Sequence, residues 1–205
     1  MSLTQPLLIV LSAPSGGGKT TLVKQMLATR PDMTRVVTCT TRAPRPGEVE
    51  GVDYYFVDGA AFEKHAQAGD FLEHANVYGN RYGTLKAEVL GKLRQGRDVL
   101  LNVDVQGVAS ICASAADDKE IGRAMFTVFL TPPTLAILEK RLSGRGTDAP
   151  EVVARRLAVA QAEVAEWNKF DYLLISSSVE EDLRRMQVII EAEKMRSVRS
   201  AAPEI

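Results

Sequence analysis

Short apolar runs alternate along the chain with stretches whose apolar residues recur at helical spacing. Leu7-Leu8-Ile9-Val10-Leu11 is an unbroken run rich in branched side chains, the length of one strand covered on both faces. Runs of the same kind recur at 36–40, 99–103, 126–130 and 172–175. After the first run, Leu22, Val23, Met26 and Leu27 share one helical face. Helical spacing returns at 85–95 (stopped by Gly96), 108–115, 135–142, 151–167 and 179–195. Strand alternating with helix predicts an α/β fold, a parallel five-stranded core sheet flanked by helices.

The segment between about 41 and 84 breaks that rhythm. A polar, Pro-rich turn from Thr41 to Glu48 is followed by a short aromatic strand, Asp53 to Val57, and a helix over 60–68 closed by Gly69. Two further strands, 71–75 and 80–84, are joined through Gly79-Asn80. This pattern predicts an inserted, mainly antiparallel lobe. A second, smaller excursion is the Gly-rich loop 143–150, and from Ser197 onward a frayed tail is expected.

The turn between the first strand and the first helix carries the clearest chemistry. It reads Ala13-Pro14-Ser15-Gly16-Gly17-Gly18-Lys19-Thr20-Thr21. Glycines let backbone N–H groups turn inward around an anion, and the following helix offers its N-terminus to the same anion. Lys19 adds a point charge for the outer phosphates, and the Thr20 hydroxyl is a ligand for Mg2+. Ala13 stands where the phosphate-binding pattern has its first glycine, a position that opens the turn and donates no charge. The plainer alternative is a Gly-rich turn that binds nothing.

Composition narrows the partners. The net charge of −1 gives no general pull toward nucleic acid or acidic membranes. No apolar run approaches the roughly 20 residues that span a bilayer. The stretch Met1 to Pro6 lacks the basic start of a secretory signal. Cys39 and Cys112 show no metal or redox spacing, which suits a reducing cytoplasm. His65 and His74 are too few for a metal site. A homo-oligomer is left open.

The lobe concentrates polar groups: Thr38, Arg42, Arg45, Tyr54, Glu73, Tyr82 and Thr84. Paired guanidinium forks with phenolic hydroxyls match a phosphate dianion. Glu73 sits in an otherwise apolar strand, so it either points to solvent or faces a base. Facing a base, a carboxylate accepts both N–H donors of guanine and is repelled by the N1 acceptor of adenine. Asp104 closes a hydrophobic strand, as a magnesium-orienting or base-contacting acid or as a helix N-cap. Arg141, Arg145 and Arg156 flank the loop at 143–150 and can neutralise a transferring phosphoryl group if the loop closes. The remaining charge on 151–167 and 179–196 reads as solvated surface, and Trp167 as a packing residue.

The stretches SAPSGGGKTTL, TTRAPRPGEVEGVDYYFV, FLEHANVYGNRYGT, NVDVQG and RLSGRGTD together resemble guanylate kinase over roughly residues 7–196. That resemblance implies a single domain with a core (1–35, 88–142 and 151–205), a GMP-binding lobe (about 36–87) and a lid (about 143–150). It implies transfer of the γ-phosphoryl group of ATP to GMP with Mg2+, in guanine nucleotide metabolism and GMP recycling. By the same resemblance, residues 13–21 hold ATP and Thr20 the metal, and Arg42, Arg45, Tyr54 and Tyr82 hold the GMP phosphate. Thr38, Glu73, Thr84 and Asp104 surround guanine, while Lys19, Arg42, Arg141, Arg145 and Arg156 serve the transfer. Asn102 stands where the family commonly carries an acid, so GMP binding is expected to be kept but weakened. Scaffold proteins use similar domains as interaction modules with damaged P-loops, whereas Lys19, Thr20 and the lid arginines are retained here.

Overall fold

The computed structural model describes residues 5–77, 79–143 and 150–200. The chain begins with β1 (Leu8–Ser12), α1 (Lys19–Thr29), β2 (Met33–Arg35), β3 (Thr38–Thr40) and β4 (Tyr54–Phe56). It continues through α2 (Gly59–Gln67), β5 (Phe71–Val77), β6 (Asn80–Leu85), α3 (Lys86–Arg94) and β7 (Asp98–Asn102). Then follow α4 (Val105–Asp117), α5 (Lys119–Ala124), β8 (Met125–Thr131), α6 (Leu135–Ser143), α7 (Pro150–Ala165), β9 (Tyr172–Ile175) and α8 (Val179–Lys194).

One sheet has five parallel strands in the order β2-β7-β1-β8-β9. β1 lies at its centre and is buried along its whole length. Its side chains alternate between two cores. Ile9 and Leu11 pack with Leu22, Met26, Met186 and Ile190 from α1 and α8. Leu8 and Val10 pack on the other face with Val89, Leu93, Val108, Ile111 and Ile121 from α3, α4 and α5. Burying each such side chain contributes about 1.5–3 kcal/mol, so the apolar run fixes β1 as the axis of the sheet.

The second sheet has the order β4-β3-β6-β5. β3 pairs antiparallel with β6, and β5 antiparallel with β6, but β3 and β4 run parallel. The lobe is therefore mixed, with one parallel pair among mainly antiparallel ones. Cys39, Phe62 and Phe71 form its small core. Glu88 of α3 ties the lobe to the main sheet: it accepts from the Val37 amide and the Tyr55 hydroxyl, each at 3.4 Å.

Several expectations change. The run at 36–40 is not a core strand. The second core strand is β2, and Thr38–Thr40 belongs to the lobe. β2 reads Met-Thr-Arg and carries no apolar run; it is held by backbone pairing to Asp98–Leu100. Ser197 to Arg199, where a frayed tail is expected to begin, forms a 3₁₀ turn, and residues 201–205 of that expected tail lie outside the described residues. Arg199 is buried and donates to the carbonyls of Arg123 and Met125 and to the Glu193 carboxylate. Asp182 and Glu193 of α8 are buried and not solvated. Trp167 is 47% exposed and does not pack into the core.

Candidate active site

Beyond Ser12 the chain turns back on itself, with the Gly17 amide donating to the Pro14 carbonyl at 2.9 Å. Gly16 (φ 84°) and Gly18 (φ 100°) adopt left-handed backbone, which favours glycine. Gly17 is constrained differently: a Cβ there would lie 3.0 Å from the Ala13 Cβ and from the Pro14 carbonyl oxygen. Gly18 caps α1 without any side-chain hydrogen bond; the Thr21 amide turns to the Gly18 carbonyl at 3.1 Å, and the Lys19 and Thr20 amides stand at the helix start, the end that an anion would approach. Together Ala13, Pro14, Ser15, Gly16, Gly17, Gly18, Lys19, Thr20 and Thr21 line a cleft of about 530 Å³ with Arg141, Arg156 and Glu163. The structure thus brings the residues expected to cradle phosphate together along one cleft.

The Lys19 ammonium donates to the Val103 carbonyl at 2.9 Å. Burial pulls its pKa below the ordinary lysine value, and the charges of Glu163 and Asp104 oppose that pull. Arg141 reaches from α6 to the Gly17 carbonyl at 3.5 Å. Arg156 reaches from α7 and donates to the Ser15 hydroxyl at 2.9 Å. Arg145 and most of the loop at 143–150 lie outside the described residues. Beside the P-loop, a smaller hollow of about 250 Å³ is bounded by Gly16, Gly18, Thr21, Arg141, Ser176 and Ser177. Asp182 fixes its rim, accepting from the Ser176 hydroxyl at 2.7 Å and the Ser177 amide at 2.9 Å.

A second cleft, of about 370 Å³, opens between the two sheets. Thr38, Tyr54, Glu73, Tyr82, Thr84 and Asp104 all line it, together with Asn102 and Val103. Glu73 therefore faces the cleft. The Thr84 hydroxyl donates to its carboxylate at 2.7 Å. Burial pushes the Glu73 pKa above the usual carboxylate value; the Thr84 bond opposes this and the Asp104 charge adds to it. Asp104 is the N-cap of α4, accepting from the Gly107 amide at 2.7 Å, and its position also borders the lobe cleft.

Arg42 stands near the aromatic pair of this cleft. Its guanidinium carbon lies 5.4 Å from the centre of the Tyr54 ring, and the Tyr54 and Tyr82 rings are 6.1 Å apart. Glu48 clamps the guanidinium through both oxygens, at 2.8 and 2.9 Å, and accepts the Arg45 amide at 2.7 Å. Arg45 itself is exposed on the loop and does not line the cleft.

The family model for guanylate kinase matches residues 5–193. The chain belongs to the guanylate kinase family. It is 42% identical over 193 residues to guanylate kinase of Novosphingobium aromaticivorans, covering 94% of this chain and 85% of that one. With guanylate kinase of Sphingopyxis alaskensis it shares 45% over 189 residues, covering 92% and 83%. The crystal structure of guanylate kinase from Anaplasma phagocytophilum superposes with a TM-score of 0.71 at 29% identity, covering 97% of this chain and 92% of that one.

Two acids of this guanylate kinase fold have roles that tertiary contacts reveal. Glu163 lies on a helix whose charge reads as solvated surface, yet its carboxylate accepts the Ser15 amide at 3.3 Å inside the P-loop cleft. It is separated from Ser15 by 148 residues, so no local spacing could reveal the contact. Glu48 had one available signal, since it follows Arg42 and Arg45 within a single tight turn.

Proposed function

We propose that the P-loop cleft holds ATP, that the lobe cleft holds GMP, and that the two nucleotides meet phosphate to phosphate beside Lys19. The family reaction is transfer of the γ-phosphoryl group of ATP to GMP, giving ADP and GDP. The observation that carries the geometry is the hydrogen bond from Lys19 to Val103, because Lys19 lines one cleft and Val103 the other. A cation at that junction faces both phosphates.

The lobe reads guanine through the partly buried Glu73 carboxylate, with Thr38, Thr84 and Asp104 around the base. Tyr54, Tyr82, Arg42 and Arg45 take the GMP phosphate, Arg42 exchanging Glu48 for a phosphate oxygen pair. That phosphate is itself the nucleophile. Its second pKa is about 6, so at neutral pH it is largely ionised and needs no general base. What the chain supplies is alignment and charge neutralisation. Lys19, Arg141 and Arg156 surround the ATP phosphates, and Arg145 joins them when the lid at 143–150 closes over the lobe at about 36–87 and the core. Closure also keeps water from accepting the phosphoryl group. In this reading the adenine takes the hollow beside Ser176 and Ser177, which adjoins the P-loop.

Mg2+ fits this arrangement. The Thr20 hydroxyl is an exposed hard oxygen in the cleft, which suits an ion that keeps several waters and is held largely by phosphate oxygens. Bound there it would draw negative charge from the phosphate chain. Action in the cytoplasm agrees with free Cys39 and Cys112, and no helix among the described residues is long and apolar enough to cross a membrane.

The test is an assay of ADP formation with ATP and Mg2+, comparing GMP, AMP, CMP and UMP. Turnover with GMP alone is expected. Equal turnover with AMP would refute Glu73 as the base reader.

A further inference from the structure

Helix α7 begins just past the segment 144–149 and returns along the P-loop. Arg156 and Glu163 lie seven positions apart on it, close to two helical turns, and so share a face. Both reach the same P-loop residue. Arg156 donates to the Ser15 hydroxyl at 2.9 Å, and Glu163 accepts the Ser15 amide at 3.3 Å.

Glu163 is out of character with its surroundings. The cleft offers backbone amides, Lys19, Arg141 and Arg156, all suited to an anion, and Glu163 is the one carboxylate among its described lining residues. Where it sits, it occupies an amide of the kind that cradles phosphate. The position is not a comfortable one for a charge. Burial pushes the Glu163 pKa above the carboxylate norm; the Ser15 amide and Lys19 pull it back, and Asp104 adds to the rise. A polyphosphate entering the cleft meets this carboxylate as a like charge and as a rival for the same donor.

We propose that Glu163 is a positioning residue of the nucleotide site: its carboxylate holds the Ser15 amide while the P-loop carries no polyphosphate, and gives up that donor when ATP or ADP binds. It thereby keeps the empty loop in its binding shape and limits how tightly ADP is held. The proposal rests on the P-loop cleft being the ATP site.

Isothermal titration calorimetry on the full chain tests it, with ADP, inorganic tripolyphosphate and adenosine as probes, in the absence of magnesium. Glu163→Gln keeps the size of the side chain and removes its charge. It is expected to bind ADP and tripolyphosphate roughly 10-fold more tightly, the scale of one charge-assisted hydrogen bond exchanged. Adenosine, which carries no phosphate, is expected to bind Glu163→Gln and wild type alike. In steady-state kinetics the KM for ATP falls while the KM for GMP stays put, a split that general loosening of α7 would not produce. Glu163→Ala serves as the second variant if Gln disturbs folding, judged by circular dichroism. Lys19→Ala, measured beside them, is expected to lose tripolyphosphate binding. If Lys19→Ala binds as wild type does, the ATP-site reading itself fails. If Lys19→Ala loses binding while Glu163→Gln binds phosphates no tighter than wild type, the role given to Glu163 is overturned and the ATP site stands.

Discussion

Glu73→Gln replaces one oxygen of the lobe cleft by an NH2 group and leaves the shape almost unchanged. The Thr84 hydroxyl, 2.7 Å from Oε1, can donate to the glutamine oxygen as it does to the carboxylate, so the β5–β6 pair has no reason to move. The loss falls on the base. A carboxylate accepts both guanine N–H groups, whereas the amide accepts one and turns a donor against the other. Hydrogen bonds to a charged group are each worth about 1.5–3 kcal/mol, so losing one and spoiling the other lowers kcat/KM for GMP by about 10² to 10⁴-fold. The apo protein responds in the opposite sense. Burial raises the folded-state pKa of Glu73 above its unfolded value, so at neutral pH the ionised carboxylate opposes folding. That penalty is present above the folded pKa and disappears as pH falls below the unfolded one. Glu73→Gln is therefore expected to be at least as stable as wild type in urea at pH 7, with any advantage gone below the unfolded carboxylate pKa of about 4.3. The same sign makes wild-type GMP binding weaken as pH drops through the raised pKa, beginning above the usual carboxylate range. The assay is ADP formation against GMP and AMP, with urea unfolding in parallel. A kcat/KM for GMP within threefold of wild type, in a folded variant, would refute the reasoning.

Lys19→Ala is expected to lose at least about 10²-fold in kcat with its far-UV dichroism intact, because among the described residues the ammonium bonds the Val103 carbonyl alone and the side chain is a partly buried part of the cleft wall, outside the hydrophobic core; unchanged turnover would remove it from the mechanism. Asn102→Asp places an acid at the rim of the lobe cleft and is expected to lower the KM for GMP several-fold, read from initial rates, and a raised KM would mean that repulsion from Glu73 and Asp104 wins. Arg199→Ala strips buried Glu193 of its buried cation, leaving Tyr172 at 2.6 Å and Arg196 at 3.4 Å, and is expected to cost about 3 kcal/mol in urea unfolding. A loss below about 0.5 kcal/mol would show the terminal turn to be dispensable.

The sequence by itself determined the centre of this protein. The run Leu7–Leu11 reads as a strand buried on both faces, and the glycines with Lys19 and Thr20 behind it mark the turn from that strand into a helix. These are local signals, written in neighbouring residues, and they carry the P-loop cleft and the alternation of the core. The lobe residues Thr38, Tyr54, Glu73, Tyr82 and Thr84 were legible as a polar set, but their convergence on one cleft depends on β3, β4, β5 and β6 pairing in one sheet. Tertiary structure alone decided the rest. β2 is a strand because β7 pairs with it, not because Met33-Thr34-Arg35 favours one. Glu163 and Glu193 sit on helices whose sequences look like charged surface, and their partners Ser15 and Tyr172 arrive from elsewhere in the chain. Hydrophobic periodicity reports which face of a helix is buried. It does not report which charged residue on that helix will meet a donor brought in by another element, because that energy exists only once both are in place.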